Sequence, residues 1–321
     1  MDNLSVEPRS LWGDAWSTLK KSRIAMMCLW LVVLYSGVAA TGYAIDRHYA
    51  VNDITPPYKV PNLDRQYEPP SFCRPLPPVG ETPETRGWQR YWNHLSDHPM
   101  GTDGLGRDVF QRIVQGTRIA FLVGIVTAMI AIPIGVLLGC LAGYFGGVVD
   151  DFIVWLYSTF AAIPGLLFIL SIALVVDKGL KGVFLGIGLT TWVGLCRLIR
   201  GEVMKHKERT YVKAAQTLGL SHGRIMFRHI LPNIFHIVIV TFTIRFPAAV
   251  GTEVIMSYLG IGVQDEPSWG IMISDSRLRL WHGAWWEITF ATIAIFGLVL
   301  AFNLLGDALR DALDPRLKEQ E

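Results

Sequence analysis

Ile119-Ala-Phe-Leu-Val-Gly-Ile-Val-Thr-Ala-Met-Ile-Ala-Ile-Pro-Ile-Gly-Val-Leu-Leu-Gly-Cys-Leu-Ala142 contains no charged side chain. As a helix rising about 1.5 Å per residue, the stretch is about 36 Å long, enough to cross roughly 30 Å of hydrocarbon. Five further long apolar runs accompany it, four of them equally free of charge. They are Ile24 to Ile45, Phe152 to Val176 (closed by Asp177 and Lys178), Gly182 to Cys196 (closed by Arg197), Ile234 to Ile261 (carrying Arg245 and Glu253) and Ile288 to Leu305 (ending at Asp307). Hydrophobic residues make up 51% of the 321 residues, and the mean hydropathy is +0.35, more apolar surface than one soluble domain needs to bury. Six such runs do not occur together in soluble domains. No small-residue cleavage site follows the first, so it reads as a span rather than a secretory leader. Barrel-type alternation of polar and apolar residues is absent. The expectation is an all-α, polytopic membrane protein with six transmembrane helices.

Orientation follows from lysine and arginine near the membrane ends. Arg9, Lys20, Lys21 and Arg23 precede the first run. Arg197, Arg200, Lys205, Lys207, Arg209, Lys213, Arg224 and Arg228 lie between the fourth and fifth, and Arg310, Arg316 and Lys318 follow the last. With six spans these fall on one side, so both termini are expected inside. The link Tyr144 to Asp151 carries no basic residue and argues for neither side. The organisation read from these patterns is a cytoplasmic tail over 1–23, a first span over 24–45, an external segment over 46–118, a core of five spans over 119–309 and a tail over 310–321. In the N-terminal tail, Leu11, Trp12, Ala15, Trp16 and Leu19 suit a helix lying in the inner interface. The external segment is proline-dense between Pro56 and Pro83 and should be extended there. A short amphipathic helix over 87–95, with Trp88, Tyr91, Trp92 and Leu95, suits the outer interface.

A formal net charge of +2 is explained by topology, and no basic stripe with interleaved aromatics suggests a nucleic-acid partner. Cys28, Cys140 and Cys196 lie in or at spans, which leaves Cys73 alone outside and no disulfide framework expected. Gly101, Gly104 and Gly106 shape a turn, with Asp103 expected to cap the helix carrying Arg107 to Arg112. His94 and His98 read as a solvated pair rather than metal ligands.

Residues 200–233 are hydrophilic and read as helix, break, helix. Good helix formers run from Glu202 to Gln216; Gly219, Ser221 and Gly223 interrupt; Arg224 to Ile230 resumes until Pro232. Small Ala214 and Ala215 leave room for another protein to approach.

The run Arg200-Gly-Glu-Val-Met-Lys-His-Lys-Glu-Arg-Thr-Tyr-Val-Lys-Ala-Ala-Gln-Thr-Leu-Gly219, continuing to Ile230-Leu-Pro-Asn233, resembles the loop by which permease subunits of ATP-binding-cassette importers grip their ATPases. His98-Pro-Met-Gly-Thr-Asp-Gly-Leu-Gly-Arg-Asp108, Ser257-Tyr-Leu-Gly-Ile-Gly-Val-Gln264 with Trp269-Gly270, and Asn303 to Arg316 resemble the second permease of the dipeptide, oligopeptide and nickel group. The resemblance covers most of the chain beyond residue 98. It implies the type I importer permease fold, a bacterial cytoplasmic-membrane location and a heterodimer with a second permease. It also implies two ATPase subunits, which hold the ATP and magnesium, and an extracytoplasmic solute-binding protein. Glu202, Tyr211, Lys213, Ala214, Ala215, Gly219 and Pro232 match the coupling segment, with Lys213 standing where the family usually has glutamate. Peptides are the leading substrate class, with nickel chelates or other small solutes the alternative.

No Gly-x-x-x-x-Gly-Lys-Ser/Thr phosphate loop is present, and no Gly-x-Ser-x-Gly or His-Glu-x-x-His motif, so neither a cofactor nor a catalytic centre is expected in this subunit. A secondary transporter would call for intramembrane acidic pairs or an inverted repeat, and neither is visible. Arg245, Pro247 and Glu253 are the candidate pathway-lining residues. Arg245 falls about 18 Å along a helix from Asn233, too deep for easy escape to either surface.

Overall fold

The computed structural model describes residues 11–75 and 95–313. The helix expected over 87–95 lies outside them save for its last residue, as do His94 and the tail beyond 313. The described residues form helices and irregular connections with no strand. Helix α1 (Leu11–Lys21) leads through Ser22 into α2 (Arg23–Val51), whose first turn is capped by the Ser22 hydroxyl accepting from the Ala25 N–H at 3.3 Å. Leu19 of α1 is buried with Ala25, Cys28, Ala301 and Leu305, so α1 packs on the bundle and not only on the membrane face.

Helix α3 (Val109–Phe145) contains the decisive run and extends ten residues before it. Asp108, not Asp103, caps it, accepting from the Gln111 N–H at 3.0 Å. Asp103 stands too far upstream for that bond and instead closes the preceding turn, its Oδ1 accepting from the N–H groups of Leu105 (2.8 Å) and Arg107 (2.9 Å).

The third apolar run is not one straight span. It is α4 (Gly147–Ala162) and α5 (Gly165–Val176), bent by 91° at Ile163-Pro164. Proline lacks an N–H and pushes the residue before it out of the helical region, and Ile163 sits at φ −85°, ψ 132°. The fourth run is α6 (Leu180–Thr190) and α7 (Trp192–Lys207). Then come α8 (Thr210–Thr217), α9 (His222–Tyr258), α10 (Trp269–Ser276) and α11 (Trp286–Leu313). Among the described residues, five helices are long and apolar enough to cross a membrane, or six if the bent pair counts as one span.

The resumed helix does not stop at Pro232. Ile225–Ile230 forms a π turn, with the Leu231 N–H donating to the carbonyl of Met226 five residues back, and α9 runs on to Tyr258. A wider turn tolerates a proline that lacks a donor, and Pro232 enters at the second position of the regular stretch. Aromatic packing closes the centre of the bundle, where Phe246 of α9 stacks on Phe302 of α11 at 4.1 Å between ring centres and Phe121 of α3 meets Phe246 edge-on.

Candidate functional site

The coupling segment folds as a short helix mounted on the inner end of the bundle. Helix α7 ends at Lys207; Arg209, with ψ 147°, starts the new direction, and α8 follows. Gly219 ends it at φ +74°, the left-handed conformation that glycine adopts without a Cβ penalty. Val212 and Ala215 are buried against Ile225, Met226 and Ile230 of α9, together with Leu195, Ile199 and Val203 of α7 and Tyr144 of α3. Ala215 is therefore an internal packing residue, not a position kept small for an outside partner, because its Cβ faces α9. Ala214, Lys213 and Gly219 are exposed. Lys213 pairs with Glu208 at 3.1 Å, Glu202 with Lys205 at 2.6 Å, and the Tyr211 hydroxyl lies 2.8 Å from His206 Nδ1. Partial burial raises the Tyr211 pKa above the usual phenol value.

Farther into the membrane, α3, α6, the Thr191 turn after it and α9 line a cavity of about 60 Å³, with Thr127, Thr191, Arg245 and Thr252 among apolar residues. Arg245 stands midway along the regular part of α9, its guanidinium lying over the bare Cα of Gly194 on α7. Among the described residues it has no hydrogen-bond or ion-pair partner. Pro247 is buried in the helix and Glu253 is almost fully buried. The Glu253 carboxylate accepts from the Ser257 hydroxyl at 2.7 Å, so these two expected pathway residues are enclosed by their own chain, and Arg245 alone reaches the cavity.

At the outer end, charges absent from any simple span are sealed by pairing. Arg112, 2% exposed, bridges Asp103 and Glu287, the latter at 3.1 Å. Arg118 joins Asp46 and Glu266, each at 2.6 Å. Burial alone would raise the Asp103 pKa, but Arg112, Arg107 and two backbone N–H groups outweigh it and hold the carboxyl below its usual range. His98 lies 2.7 Å from the Asp108 carboxylate, and no group of metal-ligating side chains occurs among the described residues.

Residues 135–319 match the family model described as the inner-membrane component of binding-protein-dependent transport systems, and residues 10–70 match the N-terminal transmembrane domain of oligopeptide transport permease C. The dipeptide transport system permease protein DppC of Bacillus subtilis is 35% identical over 99% of this chain and 89% of its own length. The chain belongs to this permease family. The oligopeptide permease OppC of B. subtilis is 34% identical over 99% of this permease and 94% of that protein. The glutathione permease GsiD of Pectobacterium atrosepticum is 39% identical over 70% and 74%. A solved chain of the MetNI methionine ABC transporter overlays with a TM-score of 0.48 at 15% identity, covering 64% of this chain and 96% of that one. By its family and its apolar helices the permease is a multi-pass inner-membrane subunit of a binding-protein-dependent importer.

Sequence reading passed over two features of the permease. Gly135, Gly139 and Gly143 recur every four residues on α3, and a Cβ on each would collide with α7: with Leu195 and the Trp192 carbonyl, with Ile199 and the Cys196 carbonyl, and with Val203 and the Arg200 carbonyl. The small-xxx-small spacing was the available signal. The other is Glu287, whose partner Arg112 is distant in sequence and leaves no local mark. The link from Tyr144 to Asp151 also gains a role, because Arg200 of α7 forks onto the Asp150 carboxylate at 2.5 and 2.6 Å.

Proposed function

We propose that this permease forms half of the pathway of a peptide importer, beside a second permease, with two ATPases beneath and an outer binding protein delivering the solute. Both termini face the cytoplasm, in keeping with the basic residues of 200–233 and of the N-terminal tail. The observation that carries the reading is the mounting of α8. Its exposed face, Lys213 and Ala214, with Gly219 just past its end, is free to seat in an ATPase groove. Its buried face, Val212 and Ala215, is keyed into α3, α7 and α9. Closure of the ATPases would therefore displace the inner ends of three spans as one body, and rigid motion of those spans would exchange access between the two sides. Peptide as solute is supported by the dipeptide, oligopeptide and glutathione permeases among its relatives. ATP and magnesium are held by the ATPases, since this chain has no phosphate loop of its own. The test is hydrolysis and uptake in proteoliposomes. The purified permease alone is expected to hydrolyse no ATP, and the complex with its ATPases and binding protein to couple hydrolysis to peptide entry. Hydrolysis by the isolated subunit, or a complex that hydrolyses ATP and moves no peptide, would overturn it.

A further inference from the structure

We infer that Arg245 and its cavity receive the carboxylate end of the solute in transit, an inference that rests on peptide import as the function. The cavity's chemistry is lopsided. The hydroxyls of Thr127, Thr191 and Thr252 each donate to their own helix backbone, at 2.7 Å to the Val123 carbonyl, 2.8 Å to Ile187 and 2.9 Å to Ala248. They have therefore spent their protons and offer the cavity only lone pairs. The guanidinium is the one donor group facing it, with five N–H bonds and no acceptor among the described residues. A positive donor beside hydroxyl acceptors complements a group in which a carboxylate lies one carbon from an N–H, which is the C-terminal residue of a peptide.

Size points the same way. By the same measure of space a water needs about 10–15 Å³, so about 60 Å³ admits an end group and a few waters but not a whole peptide. The site would hold the terminus while the rest of the solute lies outside it. Position also fits. A guanidinium at mid-membrane is costly unless an anion or water meets it, and Gly194 keeps the space over which it lies. The pocket favours anions and disfavours bare metal cations.

Uptake of a dipeptide with a free C-terminus and of its amidated form is measured in proteoliposomes holding the whole importer, with wild type, Arg245→Met, Arg245→Lys and Gly194→Ala. Assembly is checked by co-purification. Loss of charge-assisted hydrogen bonds to a carboxylate is expected to lower free-carboxyl uptake by Arg245→Met about tenfold or more and to leave amide uptake unchanged. Arg245→Lys should recover most of it. Gly194→Ala, which retains the charge but displaces the guanidinium, should fall between. Equal losses for both peptides, or failure of the Met variant to assemble while Lys and Ala variants transport both peptides as wild type does, would mean that Arg245 pairs with a neighbouring subunit and would overturn the inference. Unchanged uptake in every variant would overturn it as well. A wild-type importer that moves neither peptide would instead sink the functional reading itself.

Discussion

Gly219 separates two meanings of a small residue. Its φ of +74° would strain any side chain by roughly 1 kcal/mol, yet a Cβ there would meet nothing within 4 Å of its own chain. Gly219→Ala and Gly219→Trp therefore share one backbone cost, and only the second adds bulk to the exposed face. The expected outcome is that the Ala variant still co-purifies with the ATPases while the Trp variant does not. Equal co-purification and uptake by both would remove this face from the docking surface. The neighbouring positions show what residue-level reading can reach. A small side chain at 214 or 215 is visible in the sequence, but which of the two points inward depends on where α9 lies. Lys213 is similar. Its charge is opposite to the glutamate that the resemblance implies there, and an acid comes from Glu208, both side chains being well exposed, so the pair contributes little to stability.

At the scale of elements, length and apolarity located the five long apolar helices of the described residues and the bent pair among them, because hydrocarbon thickness imposes both. Breaks were harder. The bend at Pro164 has a local cause that could be read from the proline, whereas the π turn over Ile225–Ile230 depends on how α9 must face α8 and α7 at once. The glycine seam between α3 and α7 lies between these cases, since its spacing is local but its partner is not. A Cβ at Gly139 would stand 2.7 Å from the Cys196 carbonyl oxygen, a backbone atom that cannot yield without moving a helix. Gly139→Leu should therefore force α3 from α7, costing about 1–3 kcal/mol or more by overpacking, and lower the Tm of the detergent-solubilised complex. Gly201→Leu on α7 adds the same bulk where nothing lies within 4 Å and should melt like wild type. Matching Tm values for both variants would show that the seam is looser than its geometry states.

For the whole molecule, the outer lobe formed by residues 52–75 and 95–108 is held less by apolar burial than by ions and backbone bonds. Thr102 joins it to the bundle, its carbonyl accepting from Trp286 Nε1 at 2.9 Å, and its hydroxyl donates to the Arg65 carbonyl at 2.6 Å. Arg112 lies beneath, between Asp103 and Glu287. Because the folded pKa of Asp103 is depressed, its contribution to stability is fully present above the unfolded value of about 3.9 and is lost as pH falls through the folded one. Asp97 is depressed in the same sense, through the hydrogen bond from Arg65, but at 39% exposure solvent screens its share. The lobe should thus stay closed at neutral pH and loosen only as pH falls from about 4 through the depressed folded values, while the spans, whose packing is apolar, persist. Removing one partner of a buried charge cluster costs about 3–5 kcal/mol because it strands the others. Arg112→Met should therefore expose the lobe at pH 7 already. Protease cleavage within 52–75, followed at pH 7 and at pH 3 with an acid-tolerant protease, reads both effects. Wild type is expected to resist at pH 7 and be cut at pH 3, and Arg112→Met to be cut at both. Resistance of the variant at pH 7 would assign the lobe's closure to the Thr102 and Trp286 bonds and take it away from the ions.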